Sequence, residues 1–384
     1  MAKLIDITGK AISGEWGTDD PDGTGIRVLR TTNFTNDGVV DYNDVVTRKI
    51  AKKNMDSKYL RHGDIIIEKS GGSDKQPVGR VIYFEGPEQT YLFNNFTGLL
   101  RVRDQNTWLP RYVFYSLFSN YLAGGTRAYE NRTTGLHNLQ TDSYISSFEV
   151  RPVSTEKQVE ICLNLDKIIH IISLKKKQIS KMDELVKSRF VEMFGKIEHE
   201  DSLENLCRFI DYRGKTPEKT DMGLPFITAK NVRMHHMSFE TQEFISKETY
   251  DKVMTRGFPR VGDVVFTTEA PLGNVCRIPS IDTEFYIGQR IITMQTDSLE
   301  PAYLEYALAS NEFRKKLNAK ASGSTVTGIR SKLLEKLTIP VPPLELQNRF
   351  AAFITEVDKS KLAVKQSLEK LETLKKSLMQ QYFS

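Results

Sequence analysis

The chain has little of what a catalytic or membrane protein needs. Only three cysteines, Cys162, Cys207 and Cys276, occur in 384 residues, scattered and without metal-ligand spacing. That excludes a disulfide scaffold and fits a reducing cytoplasm. No apolar run approaches the roughly 18 residues of a membrane span, and the opening MAKLIDITGKAISGEW has no signal-peptide core. The six histidines form no H-x-x-x-H or Cys/His cluster. His235 and His236 are adjacent, so on a strand they face opposite ways and are not expected to share a metal. No Gly-rich loop opens a helix in the spacing that cradles a dinucleotide or triphosphate. No Asp/Asn-Pro-Pro-aromatic run of the kind carried by amino-methyltransferases is present, so no S-adenosylmethionine site is expected. A strong excess of either charge is lacking too: a net +5 permits a nucleic-acid partner without arguing for one.

What is present is periodicity. In Leu165–Phe194 the apolar residues Leu165, Ile172, Ile179, Val186 and Met193 fall seven apart, with Ile168, Met182 and Leu185 beside them. In Phe350–Phe383, Val357, Val364, Leu371 and Leu378 keep the same spacing, with Ile354, Leu368 and Tyr382 as a second seam. A heptad repeat keeps one narrow stripe facing a partner helix. Two such helices in one chain predict an intramolecular, antiparallel pair. Lys175–Lys177 and Lys375–Lys376 lie on their basic faces and read as solubility and interhelical pairing, with docking of partner subunits as the functional alternative.

The remainder reads as one unit written twice. IRVLRTTNF (26–34) parallels LPFITAKNV (224–232), and LRHGDIIIEKSGG (60–72) parallels PRVGDVVFTTEAP (259–271). VGRVIYF (78–84) parallels LGNVCRI (272–278), and WLPRYVFYSLFS (108–119) parallels LEPAYLEYALAS (299–310), a short helix with Pro in its first turn. RTTGLHNL (132–139) parallels STVTGIRSKL (324–333), and FEVRPVSTEKQ (148–158) parallels LTIPVPPLELQ (337–347). Asp64, Glu68 and Lys69 could pass for a nuclease's acids and lysine. The second writing keeps Gly262-Asp263 but has Thr267 and Thr268 in the other two places, so the Asp reads as turn chemistry. The predicted fold class is α+β: two mixed domains in tandem, each followed by a long helix, the two helices pairing as an antiparallel coiled coil. The boundaries are 1–150, 151–197 (first helix), 198–340 and 341–384 (second helix).

These residues resemble a known family. Arg151-Pro152 through Gln158, MDELVKSRFVEMFG (182–195), FIDYRGKTPEKT (209–220), FITAKNV (226–232) and PVPPLELQNRFAAFITEVDKS (340–360) are similar to the specificity subunit of type I DNA restriction-modification systems. The first helix departs from the pattern, with fewer residues between Glu156 and Asp166 than between Glu345 and Asp358. The resemblance implies two target-recognition domains, each reading one half of a split, asymmetric site in double-stranded DNA. It implies helices that dock two methyltransferase (M) subunits, with restriction (R) subunits joining. The chain itself would be non-catalytic and cytoplasmic, without cofactor; S-adenosylmethionine, ATP and Mg would sit on the partners. A related system with fused methyltransferase and nuclease, and a coiled-coil adaptor that does not bind DNA, remain alternatives.

Base edges are read by Arg, Asn, Gln, Lys and sometimes Glu, while Lys, Ser, Thr and backbone amides hold phosphates. Loops of that mix occur at matching places in both units. In the first they give Lys69, Ser70, Gly71, Lys75, Gln76, Asn94, Asn95, Arg127, Arg132, Thr134 and His137 as candidate DNA-binding residues. In the second they give Arg213, Lys215, Thr216, Lys230, Asn231, Thr267, Thr268, Glu269, Gln289, Arg290, Ser324, Thr325 and Arg330.

Overall fold

The fold was analysed in a computed structural model, which describes residues 1–52, 55–132, 137–212, 217–288, 290–323 and 327–383. It separates into two compact units, Met1–Lys175 with Ser367–Ser384, and Lys176–Gln366.

The first unit is organised around the strand Ile65–Glu68, whose four side chains are all buried. Alternate residues of a strand face opposite ways, so this β-branched run serves two cores. Ile65 and Ile67 pack with Leu4, Tyr112 and Leu117, while Ile66 packs with Leu29, Phe84, Phe93 and Leu99. The sheet order is Ile12–Ser13, Thr97–Leu100, Ile65–Glu68, Val81–Tyr83, all antiparallel. A second sheet runs Thr18–Asp19, Val46–Lys49, Ile26–Leu29, Tyr91–Phe93, its last pair parallel.

The second unit repeats this plan. Val264 and Phe266 belong to one core and Val265 to another. Its sheet runs Arg208–Asp211, Ile291–Gln295, Val264–Thr267, Val275–Arg277. Phe244–Ile245, Leu224–Ile227 and Tyr286–Ile287 follow as a second sheet, again with its last pair parallel. The duplication reaches further than the sequence parallels. Ala2–Lys3 pairs with Glu149–Val150 and Glu200–Ser202 with Thr338–Pro340, each followed by a short helix. The Leu4 N–H then donates to the Phe148 carbonyl at 2.9 Å, and Leu203 to Leu337 at 3.0 Å.

The long helices are Thr155–Phe194 and Leu344–Phe383, 40 residues each, or about 60 Å at 1.5 Å per residue. Both start about ten residues before the apolar repeats do, because their first turns are fixed by polar clamps. Gln158 accepts the Leu109 N–H at 2.8 Å and donates to Thr107 and Val153 carbonyls at 2.9 and 3.1 Å. Gln347 accepts the Glu300 N–H at 2.8 Å and donates to the Pro342 carbonyl at 2.8 Å. Leu109 and Glu300 are the N-caps of the short helices Pro110–Leu122 and Pro301–Ala309. Tyr112 and Tyr303 on those helices donate to the Arg151 and Pro340 carbonyls at 2.9 and 2.5 Å. Both glutamines stand fourth in their helices, so the departure between Glu156 and Asp166 does not shift the first helix's start. It brings Asp166 under Arg111 (2.7 Å) and Tyr115.

Of the heptad residues, Leu165, Ile172, Val186, Val357 and Val364 are buried, and Ile179, Met193, Leu371 and Leu378 are half-buried. In the first unit Leu165 and Ile169 share a core with Leu378, Met379 and Tyr382. In the second unit Phe190 and Phe194 meet the Phe350 ring at 5.4 and 5.3 Å, and Asp183 meets Lys361 at 2.5 Å. Leu185, expected beside the seam, is 52% exposed. It stands one residue, about 100°, round the helix from Val186. Among the described residues, no helix is long and apolar enough to cross a membrane.

Candidate nucleic-acid interface

In the first unit the candidate loops converge. Ser70–Gly72 pairs with His137–Leu139, which pairs with Glu130–Asn131. The Glu130 carboxylate, 2% exposed, accepts the Val78 N–H at 3.0 Å and faces His137 Nδ1 at 3.2 Å. Arg132 reaches Asp74 at 3.2 Å, and Arg127 donates to the Asp74 carbonyl at 3.1 Å. Lys75 is exposed on the Ser73–Gln76 turn, and Gln76 donates to Asn36 and Tyr121 at 3.3 Å each. Burial holds the Lys69 ammonium below its ordinary pKa, with Lys58 adding to the effect and Asp142 opposing it. A lysine partly stripped of water and crowded by another cation is suited to receive an anion. Gly71 has φ 137°, and a side chain there would meet Glu68 at 2.9 Å, so glycine is required.

In the second unit Thr268 accepts the Ile329 N–H at 3.0 Å and donates to the Arg290 carbonyl at 2.8 Å. Arg290 Nε meets Glu269 at 2.8 Å, and Glu269 bridges to Gly328. Thr268, Glu269 and Arg290 are therefore brought together with the segment leading to exposed Arg330. Lys230 is exposed, 3.7 Å from Glu243. Thr134, Arg213, Lys215, Thr216, Gln289, Ser324 and Thr325 lie outside the described residues.

Several candidates are turned inward. Asn231, 4% exposed, accepts from Thr228 N–H and hydroxyl and donates to Ser238 and Thr241 carbonyls at 3.0 and 2.7 Å. Asn33 does the same in the first unit, accepting from Arg30 N–H at 2.9 Å and donating to Asp41 and Asp44 carbonyls at 3.0 Å. Thr267 is fully buried, its hydroxyl engaged with Pro271 and Asn274, and Asn94 is 5% exposed. Thr268 is buried also, and acts through its backbone. The Asn231, Asn33 and Thr267 side chains thus spend their hydrogen bonds inside their own turns; of the Asn94-Asn95 pair, only Asn95 is exposed.

The nuclease decoy resolves as turn chemistry. Asp64 accepts the Arg61 N–H at 2.7 Å and Asp263 the Arg260 N–H at 2.7 Å. Asp64 is further paired with Arg101 at 2.6 Å, and Asp263 accepts from Gln295 at 2.7 Å. Glu68 faces Arg80 at 3.1 Å, and burial raises its pKa against that cation's pull. Arg80 also donates to the Phe34 carbonyl at 2.8 Å, as Asn274 donates to Val232 at 2.9 Å in the second unit. The parallel between 132–139 and 324–333 is offset by three residues. Leu139 matches Ile329, since Leu139 donates to the Lys69 carbonyl at 2.8 Å as Ile329 does to the Thr268 carbonyl at 3.0 Å. All three cysteines are buried, their thiols pushed up to about 12, which removes them as thiolate nucleophiles.

Residues 202–374 match the family model described as "Type I restriction modification DNA specificity domain". A relative from Methanocaldococcus jannaschii, the type I restriction enzyme MjaVIII specificity subunit, is 23% identical over 301 residues, 70% of this chain and 68% of the relative. Two solved structures share the fold from end to end. One comes from work on complex assembly and conformational transition of the type I R-M system (TM-score 0.59, 17% identity, 100% of this chain and 96% of that one). The other is the type I restriction-modification S subunit from M. genitalium (TM-score 0.56, 14% identity, 100% and 95%). The chain is thus similar to the specificity subunits of type I restriction-modification systems in sequence over residues 202–374, and to solved structures from such systems in fold along its whole length.

Proposed function

We propose that this chain is the non-catalytic, DNA-reading subunit of a cytoplasmic type I restriction-modification complex. Residues 1–150 and 198–340 are its two target-recognition domains, each reading one half of a bipartite site in double-stranded DNA. The helical segments 151–197 and 341–384 pair as an antiparallel coiled coil and dock two methyltransferase subunits, with restriction subunits joining. S-adenosylmethionine, ATP and Mg belong to those partners.

One observation carries this reading. The same scaffold, down to Asn33 and Asn231 or Gln158 and Gln347, occurs twice with different residues at the loop tips. A repeated frame with unlike tips is what reading two unlike half-sites requires. Pairing of the helices is supported by the Phe190–Phe350 and Asp183–Lys361 contacts, which run in opposite chain directions. The test is to co-express the chain with the methyltransferase encoded beside it and map methylated adenines. A split motif is expected, and exchanging residues 1–150 for those of a relative should change one half alone. Binding insensitive to salt would favour the adaptor reading, because phosphate contacts make affinity fall steeply with salt.

A further inference from the structure

One turn that carries the chain from one sheet to the other is built twice with different chemistry. In the first unit the turn before Thr97–Leu100 ends on Phe96, whose carbonyl accepts the Lys69 N–H at 2.8 Å. In the second the turn before Ile291–Gln295 ends on Arg290, whose carbonyl accepts the Thr268 N–H at 2.8 Å. Lys69 and Thr268 are themselves matched by the bonds they receive from Leu139 and Ile329. Positions 96 and 290 are therefore the same place in the two units.

Neither residue is explained by the scaffold. Phe96 leaves 52% of its surface in water and joins no hydrophobic core, although Phe93, Leu99 and Leu100 around it are buried. Its established neighbours are polar: exposed Asn95 before it in the chain, and Lys69, whose N–H its carbonyl accepts. Arg290 adopts φ 68°, a left-handed conformation that costs any residue but glycine. Its Nε is held by Glu269 at 2.8 Å.

We infer that positions 96 and 290 are the matched base-contacting positions of the two units: Phe96 packs on a thymine methyl of the first half-site, and Arg290, oriented by Glu269, donates to a guanine of the second. The inference rests on the reading of the chain as a DNA-recognition subunit. An aromatic ring makes no hydrogen bond with a base edge, so the major-groove feature open to it is the C5 methyl of thymine. An arginine fork matches guanine O6 and N7, and a carboxylate at Nε fixes the plane of that fork. Lys69, beside Phe96, supplies the charge for a flanking phosphate.

The experiment uses the complex of this chain with its methyltransferase and duplexes carrying the mapped motif. In the wild-type complex, replacing one thymine of the first half-site by uracil is expected to weaken binding about fourfold, the worth of one buried methyl group. In the Phe96→Ala complex the same replacement should cost nothing, and the salt slope should equal the wild type's, since a ring releases no counterions. Phe96 is on the surface, so folding is not at stake; Phe96→Leu should keep part of the uracil effect. Arg290→Ala should lower discrimination at one G·C pair of the second half-site by about 5- to 150-fold and leave the first half unchanged. Thymine-to-uracil changes in the first half-site that cost wild type and Phe96→Ala equally would overturn the inference. A wild-type complex with no split motif would instead sink the reading beneath it.

Discussion

The Gln347 side chain accepts the backbone N–H of Glu300 at 2.8 Å, joining the first turn of a long helix to the cap of a short one. Gln158 and Leu109 repeat the bond at 2.8 Å. Both glutamines are 1% exposed, so removing either strands buried polar groups. Gln347→Ala is expected to cost about 1–3 kcal/mol in urea unfolding. Gln158→Ala should cost at least as much, because that side chain also serves two carbonyls. A loss within a few tenths of a kcal/mol would contradict the clamp.

Asn231 offers a sharper separation of structure from recognition. Asn231→Ala removes four hydrogen bonds inside one turn and is expected to cost about 2–3 kcal/mol. The methylated motif of the surviving protein should be unchanged. A changed base preference in a variant of undiminished stability would return Asn231 to the reading surface.

Glu15 gives a pH signature. Lys52 at 2.8 Å and Lys58 at 2.5 Å hold its carboxylate below the ordinary value of 4.5, hydrogen bonding to Lys52 being the largest cause. The lower pKa belongs to the folded state, so the stabilisation is present above 4.5 and is lost as pH falls through the folded-state pKa. Glu15→Gln should therefore cost about 0.5–1 kcal/mol at neutral pH and nothing in acid below that pKa. Paired melts at the two pH values check it; a cost that persists in acid would assign the effect to packing.

The long helices supply a geometric prediction. Deleting four residues, close to one turn, from each should shorten both by about 6 Å. The gap between methylated half-sites is expected to shrink by one to two base pairs. Methylation mapping that returned the wild-type gap would end the idea that the helices set it.

Much of the frame was legible because its residues state one purpose. Ile65–Ile67 and Val264–Phe266 are apolar and rich in β-branched residues after a Gly-Asp turn, and both became central strands with two cores. The heptads at Leu165–Ile172 and Val357–Val364 likewise fell on a buried stripe. Polar residues were harder, since Asn and Thr serve turns and ligands with the same atoms; only backbone geometry placed Asn231 and Thr267 inside. The opening strand and helix of each unit were missed because MAKLIDIT and EDSLENL share almost no residues, their likeness lying in backbone bonds from Leu4 and Leu203. Phe96 passed unnoticed because a lone phenylalanine in a loop normally reads as core.

The bonds at Gln158 and Tyr112, and at Gln347 and Tyr303, have a mechanical consequence. Each rod is gripped at its root on two sides, by a side chain reaching out from it and by a ring anchored to the strand that feeds it. Neither rod can swivel about its own axis without breaking several hydrogen bonds at once. A torque applied to a unit's sheets therefore has a bonded path into the root of its rod.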